Sequence, residues 1–326
     1  MSITFLGNDI PQTARIITGF HSLDKALGDK SRGTLGFPIK TLVEIYGQAG
    51  IGKTTFMMSL AGIFASQLSG KIAFADLEGQ SEDTISNALE MNGFAGELDF
   101  LKDAKTVTHS NILDNMIREF RTSECNVALL DSMGAFMPPG EQEGSVDDAN
   151  MGQKPRIMGN WTRKMVDILN RPILKVCLYV SHQHSNIGFV GTHTSGGETK
   201  KFLNAVQLEL KKKDDYETGW LLEGRIKKNR YGRTGPYFYV FCIGGQGVHG
   251  GMSSVFDCVS AGMAEIERNT VRMGGQSFGK VARMIETWQD ADQFAPFMNA
   301  LKAKDAGEDV PEVVDAEPKK KGRKKK

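Results

Sequence analysis

The segment Gly47-Gln48-Ala49-Gly50-Ile51-Gly52-Lys53-Thr54 constrains this chain more than any other part of it. It follows the apolar run TLVEIY at 41–46 and precedes a stretch, about 54–69, whose apolar residues Phe56, Met57, Leu60, Ile63 and Phe64 recur at helical spacing. Strand, glycine-rich turn and helix in that order, with G-x4-G-K-T at the turn, form the Walker A pattern. Each residue type has a physical reason. Gly47 and Gly52 let the backbone curl so that successive N–H groups face phosphate oxygens at the positive end of the helix dipole. Lys53 adds a full charge near the β and γ oxygens, and the Thr54 hydroxyl can ligate Mg²⁺. Residues 47–55, through Thr55, therefore read as a binding site for ATP.

The rest of the chain supplies the sheet that such a loop needs. Strands are expected at KIAFAD (71–76), NVALLD (126–131) and KVCLYVS (175–181), separated by helices at about 81–92, 109–122 and 152–170. NVALLD is apolar throughout, as in a parallel strand buried on both faces. A Pro/Gly/acid-rich segment lies at 138–149, and a Gly/Thr/His-rich loop without periodicity runs from His184 to Gly197. Later strands near 204–211, 218–228 and 236–243 suggest an antiparallel edge on a doubly wound α/β core. A hairpin-like stretch from about Gly262 and a helix at about 279–303 suit a small C-terminal domain.

Composition bounds the class. With 326 residues, 40% hydrophobic and 24% charged, the chain can bury one sizeable α/β core and a small appended domain. No run reaches the roughly 18 apolar residues of a membrane span. The start MSITFLGNDIPQ lacks a secretory pattern, so a cytoplasmic protein is expected. Cys125, Cys177, Cys242 and Cys258 are spread without a C-x-x-C pair and read as buried free thiols. The net charge is +1; setting aside the six acids and seven bases of 305–326, the 40 bases and 39 acids fall to 33 of each sign. Affinity for nucleic acid in the folded part must come from local patches.

Several residues stand where they could complete a nucleotide site. Asp131 ends the strand NVALLD, the Walker B arrangement, from which a carboxylate can reach the Mg²⁺ shell. Glu78 lies two residues past KIAFAD at the same sheet edge; it is a candidate general base or an exposed loop carboxylate. Gln183 follows KVCLYVS, where an amide could sense a γ-phosphate. His182, His184 and His193 cluster without an acid or cysteine at ligand spacing, which argues against a metal site. Five bases in Gly224–Arg233 could bind phosphates of DNA or of a neighbour's ATP, or protect an edge strand. The polybasic tail suits sequence-blind attraction to nucleic acid or simple solubility.

In order and spacing these motifs resemble the RecA/UvsX family of DNA recombinases, the bacterial proteins and their phage relatives, over about residues 2–303. The likeness rests on Ile16–Gly28, Val43–Gly47, Ala73–Glu78, Leu130-Asp131-Ser132, Glu143 through Lys164, Lys228-Asn229-Arg230 and Gly275–Lys280. It implies a RecA-type P-loop ATPase core with a mostly parallel doubly wound sheet, a short N-terminal strand and a small α+β C-terminal domain. The implied divisions are an oligomerisation strand at 1–14, the core at 15–258, the small domain at 259–303 and a disordered basic tail at 304–326.

The resemblance also implies roles. Glu78 becomes the base, Lys53, Thr54 and Asp131 hold Mg·ATP, and Gln183 couples nucleotide to a second DNA loop. Lys228 and Arg230 reach the neighbouring subunit's ATP. Met151, Arg156 and Arg163 belong to the first DNA-binding loop and the helix after it; Ile187, Gly196 and Gly197 belong to the second. Ile85 and Gly244 fall where relatives carry aromatic residues against adenine. The implied activity is filament formation on single-stranded DNA with homologous pairing to double-stranded DNA and strand exchange. A RecA-fold ATPase serving as annealing helper or regulator, without strand exchange, is the alternative.

Overall fold

Alternation along the central strands determines how this chain folds. In β6 (Cys125–Asp131), Val127 and Leu129 pack into one buried cluster, while Ala128 and Leu130 pack into another. The same two-residue alternation runs through β4 (Lys71–Asp76), with Ile72 and Phe74 against Ala73 and Ala75. It recurs in β7 (Val176–Ser185), with Val176, Leu178 and Val180 against Cys177 and Tyr179. Successive side chains of a strand point to opposite faces, so strands apolar on both faces need a helical layer on each. Helices α2 (Lys53–Leu68) and α3 (Glu82–Met91) supply residues to the first cluster, and α4 (His109–Arg121) and α6 (Gln153–Leu169) to the second.

The computed structural model describes residues 14–29, 33–96, 98–102, 108–143, 152–185, 192–194, 202–288 and 291–308. Among these, the chain opens with β1 (Arg15–Ile16), α1 (His21–Leu27), β2 (Phe37–Pro38) and β3 (Thr41–Gly47). The remaining strands of the large sheet are β5 (Leu98–Lys102), β8 (Thr192–Thr194), β9 (Val206–Tyr216), β10 (Gly219–Asn229), β11 (Tyr237–Ile243) and β12 (Gly247–Val248). The order is β12-β11-β10-β9-β3-β7-β6-β4-β5, with β8 paired to β7. From β9 to β5 the pairing is parallel; β10, β11 and β12 extend it antiparallel. This is the expected doubly wound core with an added antiparallel edge. Among the described residues no helix is long and apolar enough to cross a membrane. All four cysteines are free and buried.

Two compact units divide between Ser253 and Ser254, within α7 (Gly250–Ser260). The second unit holds a three-stranded antiparallel meander, β13 (Ala264–Glu267), β14 (Thr270–Met273) and β15 (Gln276–Lys280). The helix expected over 279–303 is not continuous. Gly279 and Lys280 belong to β15, and α8 (Val281–Thr287) stops at Trp288, whose φ of −96° and ψ of 89° leave the helical region. A 3₁₀ turn, Ala291–Phe294, leads into α9 (Ala295–Ala306), which carries Pro296 in its first turn, where a missing N–H costs nothing. Packing explains the break: the Trp288 ring contacts Phe278, Phe294 and Phe297 at centroid distances of 6.2, 5.0 and 6.4 Å.

Other differences are local. α5 (Pro139–Glu143) is a short helix inside the Pro/Gly/acid-rich segment, and β7 with β8 pairs part of the segment read as a loop without periodicity. α9 runs to Ala306, past the expected start of the tail at 304. Apart from Ala14, the expected N-terminal strand lies outside the described residues, as does the tail beyond 308.

Leu129 is fully buried in β6 with helices over both faces of its sheet. Leu129→Ala is expected to lower the unfolding free energy by about 3 kcal/mol through lost transfer energy and a residual cavity. Urea unfolding would show a lower midpoint with an unchanged slope; a loss below about 1 kcal/mol would contradict this account of the core.

Candidate functional site

β3 delivers the chain to Gly47 at its carboxyl end, and α2 begins six residues later at Lys53. A Cβ at Gly47 would lie 2.4 Å from the Leu210 carbonyl oxygen of β9, so only glycine fits there without displacing backbone. Gly52 has φ of +101°, in the left-handed region, and serves as the N-cap of α2. The first N–H groups of α2 have no partners within the helix and are oriented to meet an anion. Lys53 Nζ donates to the Gln48 carbonyl oxygen at 2.6 Å, folding its side chain back across the loop. Burial lowers the Lys53 pKa, opposed by the Asp131 and Glu78 carboxylates.

Three neighbouring strand ends bring acids and a histidine to this loop. Asp76 and Asp131 are Cα partners at the ends of β4 and β6. Thr54 Oγ1 donates to Asp131 Oδ2 at 2.5 Å. The other oxygen, Oδ1, is buried with no hydrogen-bond partner among the described residues. Burial pushes the Asp131 pKa up to about 7; the Thr54 hydrogen bond and Lys53 oppose the rise, and Glu78 and Asp76 add to it. A buried carboxylate oxygen lacking a donor, beside a threonine hydroxyl, is a hard-oxygen set that fits a divalent cation such as Mg²⁺. The Asp131–Ser132 peptide is cis.

Asp76 shapes the turn that carries Glu78. Its Oδ1 accepts the backbone N–H groups of Glu78 and Gly79 at 3.1 and 2.9 Å, and its Oδ2 accepts that of Gln80 at 2.7 Å. Glu78 then receives the Ser132 hydroxyl, and its Oε1 lies 2.9 Å from His182 Nε2. Burial raises the Glu78 pKa, but the Ser132 and His182 hydrogen bonds and the charges of His182 and Lys53 outweigh it and hold the carboxyl below 4.5. Glu78, Gln80, Asp131, His182, Val180 and Trp220 line, with Gly50, Gly52, Lys53, Thr54 and Thr55, one cleft of about 300 Å³. An ionised carboxylate at the wall of a phosphate-sized cleft can accept a proton from water.

Gln183 sits on β7 opposite Thr194 of β8, one residue beyond His182. Lys228 and Arg230 are not among the residues lining the cleft; Lys228 Nζ donates to the Phe202 carbonyl oxygen at 3.4 Å, and Arg230 Nη2 donates to the same oxygen. Arg156 and Arg163 lie two turns apart on one exposed face of α6, whose opposite face buries Met158, Trp161 and Met165. Met151, Ile187, Gly196 and Gly197 lie outside the described residues. Sequence reasoning passed over Asp76, Ser132 and Trp220, and it weighed His182 only as a metal ligand. An Asp closing a strand two residues before Glu78 was the available signal for Asp76, since such carboxylates cap following turns. For Trp220, which meets the loop through a contact 169 residues away in the chain, no local signal existed.

A glycine-rich loop at the end of a central parallel strand, with acids on the neighbouring strand ends, is the arrangement that defines the P-loop class of folds. The chain belongs to the RecA family: the family model for the RecA N-terminal domain matches residues 1–229. It is 28% identical over 215 residues to Protein RecA of Oceanobacillus iheyensis, covering 65% of this chain and 58% of that protein. It is 31% identical over 220 residues to Protein RecA of Geobacter sulfurreducens, covering 65% and 60%. The chain thus spans about three fifths of the length of these curated relatives. The crystal structure of the RadB recombinase superposes with a TM-score of 0.54 at 18% identity, covering 72% of this chain and 98% of that one, and shares the fold.

Because Glu78 is held below its ordinary pKa, its ionisation contributes stability above pH 4.5 that is lost as pH falls through the lower folded value. Ser132→Ala removes one donor and is expected to raise the Glu78 pKa, moving that loss to higher pH. A ¹³C NMR titration of the Glu78 carboxyl would show the rise; an unmoved titration would exclude Ser132 as a determinant.

Proposed function

We propose that this chain is a DNA-dependent ATPase that forms filaments on single-stranded DNA and catalyses homologous pairing and strand exchange. The carrying observation is the convergence of Glu78, Asp131, Lys53 and Thr54 on one cleft beside the loop, in a RecA-family chain. In this reading the N–H groups of residues 47–55 and the Lys53 ammonium bind the triphosphate. Thr54 and Asp131 hold Mg²⁺, which when bound neutralises charge on the phosphate oxygens. Glu78, aimed by Ser132 and His182, takes the proton of the attacking water. Gln183, at the mouth of β7 beside His182, reports the state of the cleft to the segment that follows.

DNA is held in this reading by the exposed face of α6 carrying Arg156 and Arg163, with Met151, and by Ile187, Gly196 and Gly197. Phosphate-directed contacts of this kind bind without regard to sequence. Lys228 and Arg230 lie off their own cleft, which supports a role at the ATP of an adjacent subunit. Cations supplied in trans stabilise charge in phosphoryl transfer and tie hydrolysis to assembly. The chain would act in recombination and repair in the cytoplasm.

The reading is tested by a strand-exchange assay with ATP, Mg²⁺, single-stranded DNA and homologous or non-homologous duplex. Wild type is expected to give product with the homologous duplex alone. DNA-stimulated ATPase with no homology-dependent product would leave an annealing or regulatory ATPase instead.

Glu78→Gln keeps the size of the side chain and removes its basicity. This variant is expected to retain ATP binding while ATP turnover falls by about 10²-fold or more, the contribution of a positioned general base. Steady-state turnover equal to wild type would remove Glu78 from that role.

A further inference from the structure

Adenine needs a flat apolar surface, and Ile85 cannot offer one: it is 1% exposed, on the face of α3 packed into the core. Among the described residues, the large aromatic surface at the cleft is Trp220 of β10, half-buried and lining the same walls as Lys53 and Thr54. We propose that Trp220 forms a stacking wall for the base of the bound nucleoside triphosphate and sets the preference for a purine. This rests on the reading of residues 47–55 as a triphosphate site.

Sheet order gives the orientation. Glu78 lies in the turn after β4, and Asp131 and His182 lie on β6 and β7, all on one side of β3 in the sheet. Trp220 comes from β10, on the other side of β3 beyond β9. The hydrolytic groups define where the terminal phosphate must lie. A linear nucleotide seated on the loop therefore directs its nucleoside away from them, toward β9 and β10.

The indole is held in place for that purpose. Its Nε1 donates to the Ile51 carbonyl oxygen at 2.9 Å. A Cβ on Gly52 would fall 2.8 Å from Cζ2 and 3.0 Å from Nε1, so this edge of the ring lies directly on the loop. Its far edge approaches Gly244: a Cβ there would meet Cζ3 at 4.0 Å. Lys212 Nζ lies over the ring 5.8 Å from its centroid, a cation–π contact that further fixes it. Gly244 and Gly245, without side chains, leave the space beside the ring open, and the Asn87 amide of α3 donates to the Gly245 carbonyl oxygen at 3.1 Å, tying this turn to α3. The ring thus spans the distance between the phosphate loop and the turn after β11. Stacking on an aromatic side chain is worth about 1–3 kcal/mol per base, and a purine overlaps an indole more fully than a pyrimidine does.

The test compares wild type, Trp220→Phe and Trp220→Leu in the full-length chain. Calorimetric titration with Mg²⁺ and ATP, UTP or tripolyphosphate, the last a probe without a base, gives each affinity. Both variants lose the Nε1–H donor to Ile51, so a difference between them reports the aromatic face rather than that hydrogen bond. Trp220→Leu is expected to weaken ATP by about tenfold, to reduce the preference for ATP over UTP, and to change tripolyphosphate by less than about twofold. Trp220→Phe should retain most of the ATP affinity. Equal loss of ATP and tripolyphosphate in Trp220→Leu would make Trp220 a brace for the loop and overturn the inference, as would ATP affinity equal to wild type. If wild type binds neither ATP nor tripolyphosphate, the loop reading itself falls.

Discussion

The 2.5 Å hydrogen bond from Thr54 to Asp131 joins the first turn of α2 to the end of β6, two strands away from β3 in the sheet. That contact requires the parallel order β3-β7-β6, because only parallel neighbours present their carboxyl ends at one edge. It also requires the loop to deliver α2 back over that edge, which the left-handed backbone at Gly52 and the close packing at Gly47 permit. Burying Asp131 there raises the cost of its charge, and the hydroxyl of Thr54 meets only one of its two oxygens. A protein optimised for stability alone would have no reason to keep such a group. Its retention makes sense as a site whose last partner is a ligand.

Around this contact the chemistry divides between the two sides of β3. On the side of β7, β6 and β4, charges are organised in a chain of dependence: Asp76 holds the turn, the turn presents Glu78, and Ser132 and His182 orient its carboxylate. On the side of β9 and β10 the surface is aromatic, through Trp220. Behind the loop, Glu44 of β3 is fully buried and accepts from Asn204 at 2.9 Å and Gln207 at 2.7 Å, with the Tyr179 hydroxyl in the same network. This buried polar set links β3, β7 and β9, the strands on which the loop and the segment after Gln183 depend. Fully satisfied networks of this kind fix one arrangement of the strands they join.

The core strands and their helices were legible because doubly buried strands leave long apolar runs, and because the glycine loop demands a strand before it and a helix after it. β1, β2, β5 and β8 were not read, since two to five residues carry too little periodicity to register. The helix expected over 279–303 failed because helical spacing continued across Trp288, while the packing of that ring, a property of the folded unit, ends α8. In the site, Lys53, Thr54 and Asp131 were legible from motif spacing, and Glu78 as a carboxylate just past a strand end, its role given only by the family resemblance. Ser132 and His182 act through contacts made 54 and 104 residues away, and Trp220 through one made 169 residues away. No local pattern encodes such pairings.

The central claim is that hydrolysis at this loop is completed by a second copy of the chain. Its most direct test is an electron cryo-microscopy structure of the chain on single-stranded DNA with Mg²⁺ and a slowly hydrolysed ATP analogue. The account predicts a helical assembly in which Lys228 and Arg230 have left the Phe202 carbonyl and lie within ion-pair distance of the γ-phosphate bound to the adjacent subunit. Lys228 and Arg230 still on the Phe202 carbonyl, with each nucleotide enclosed by its own chain alone, would contradict it.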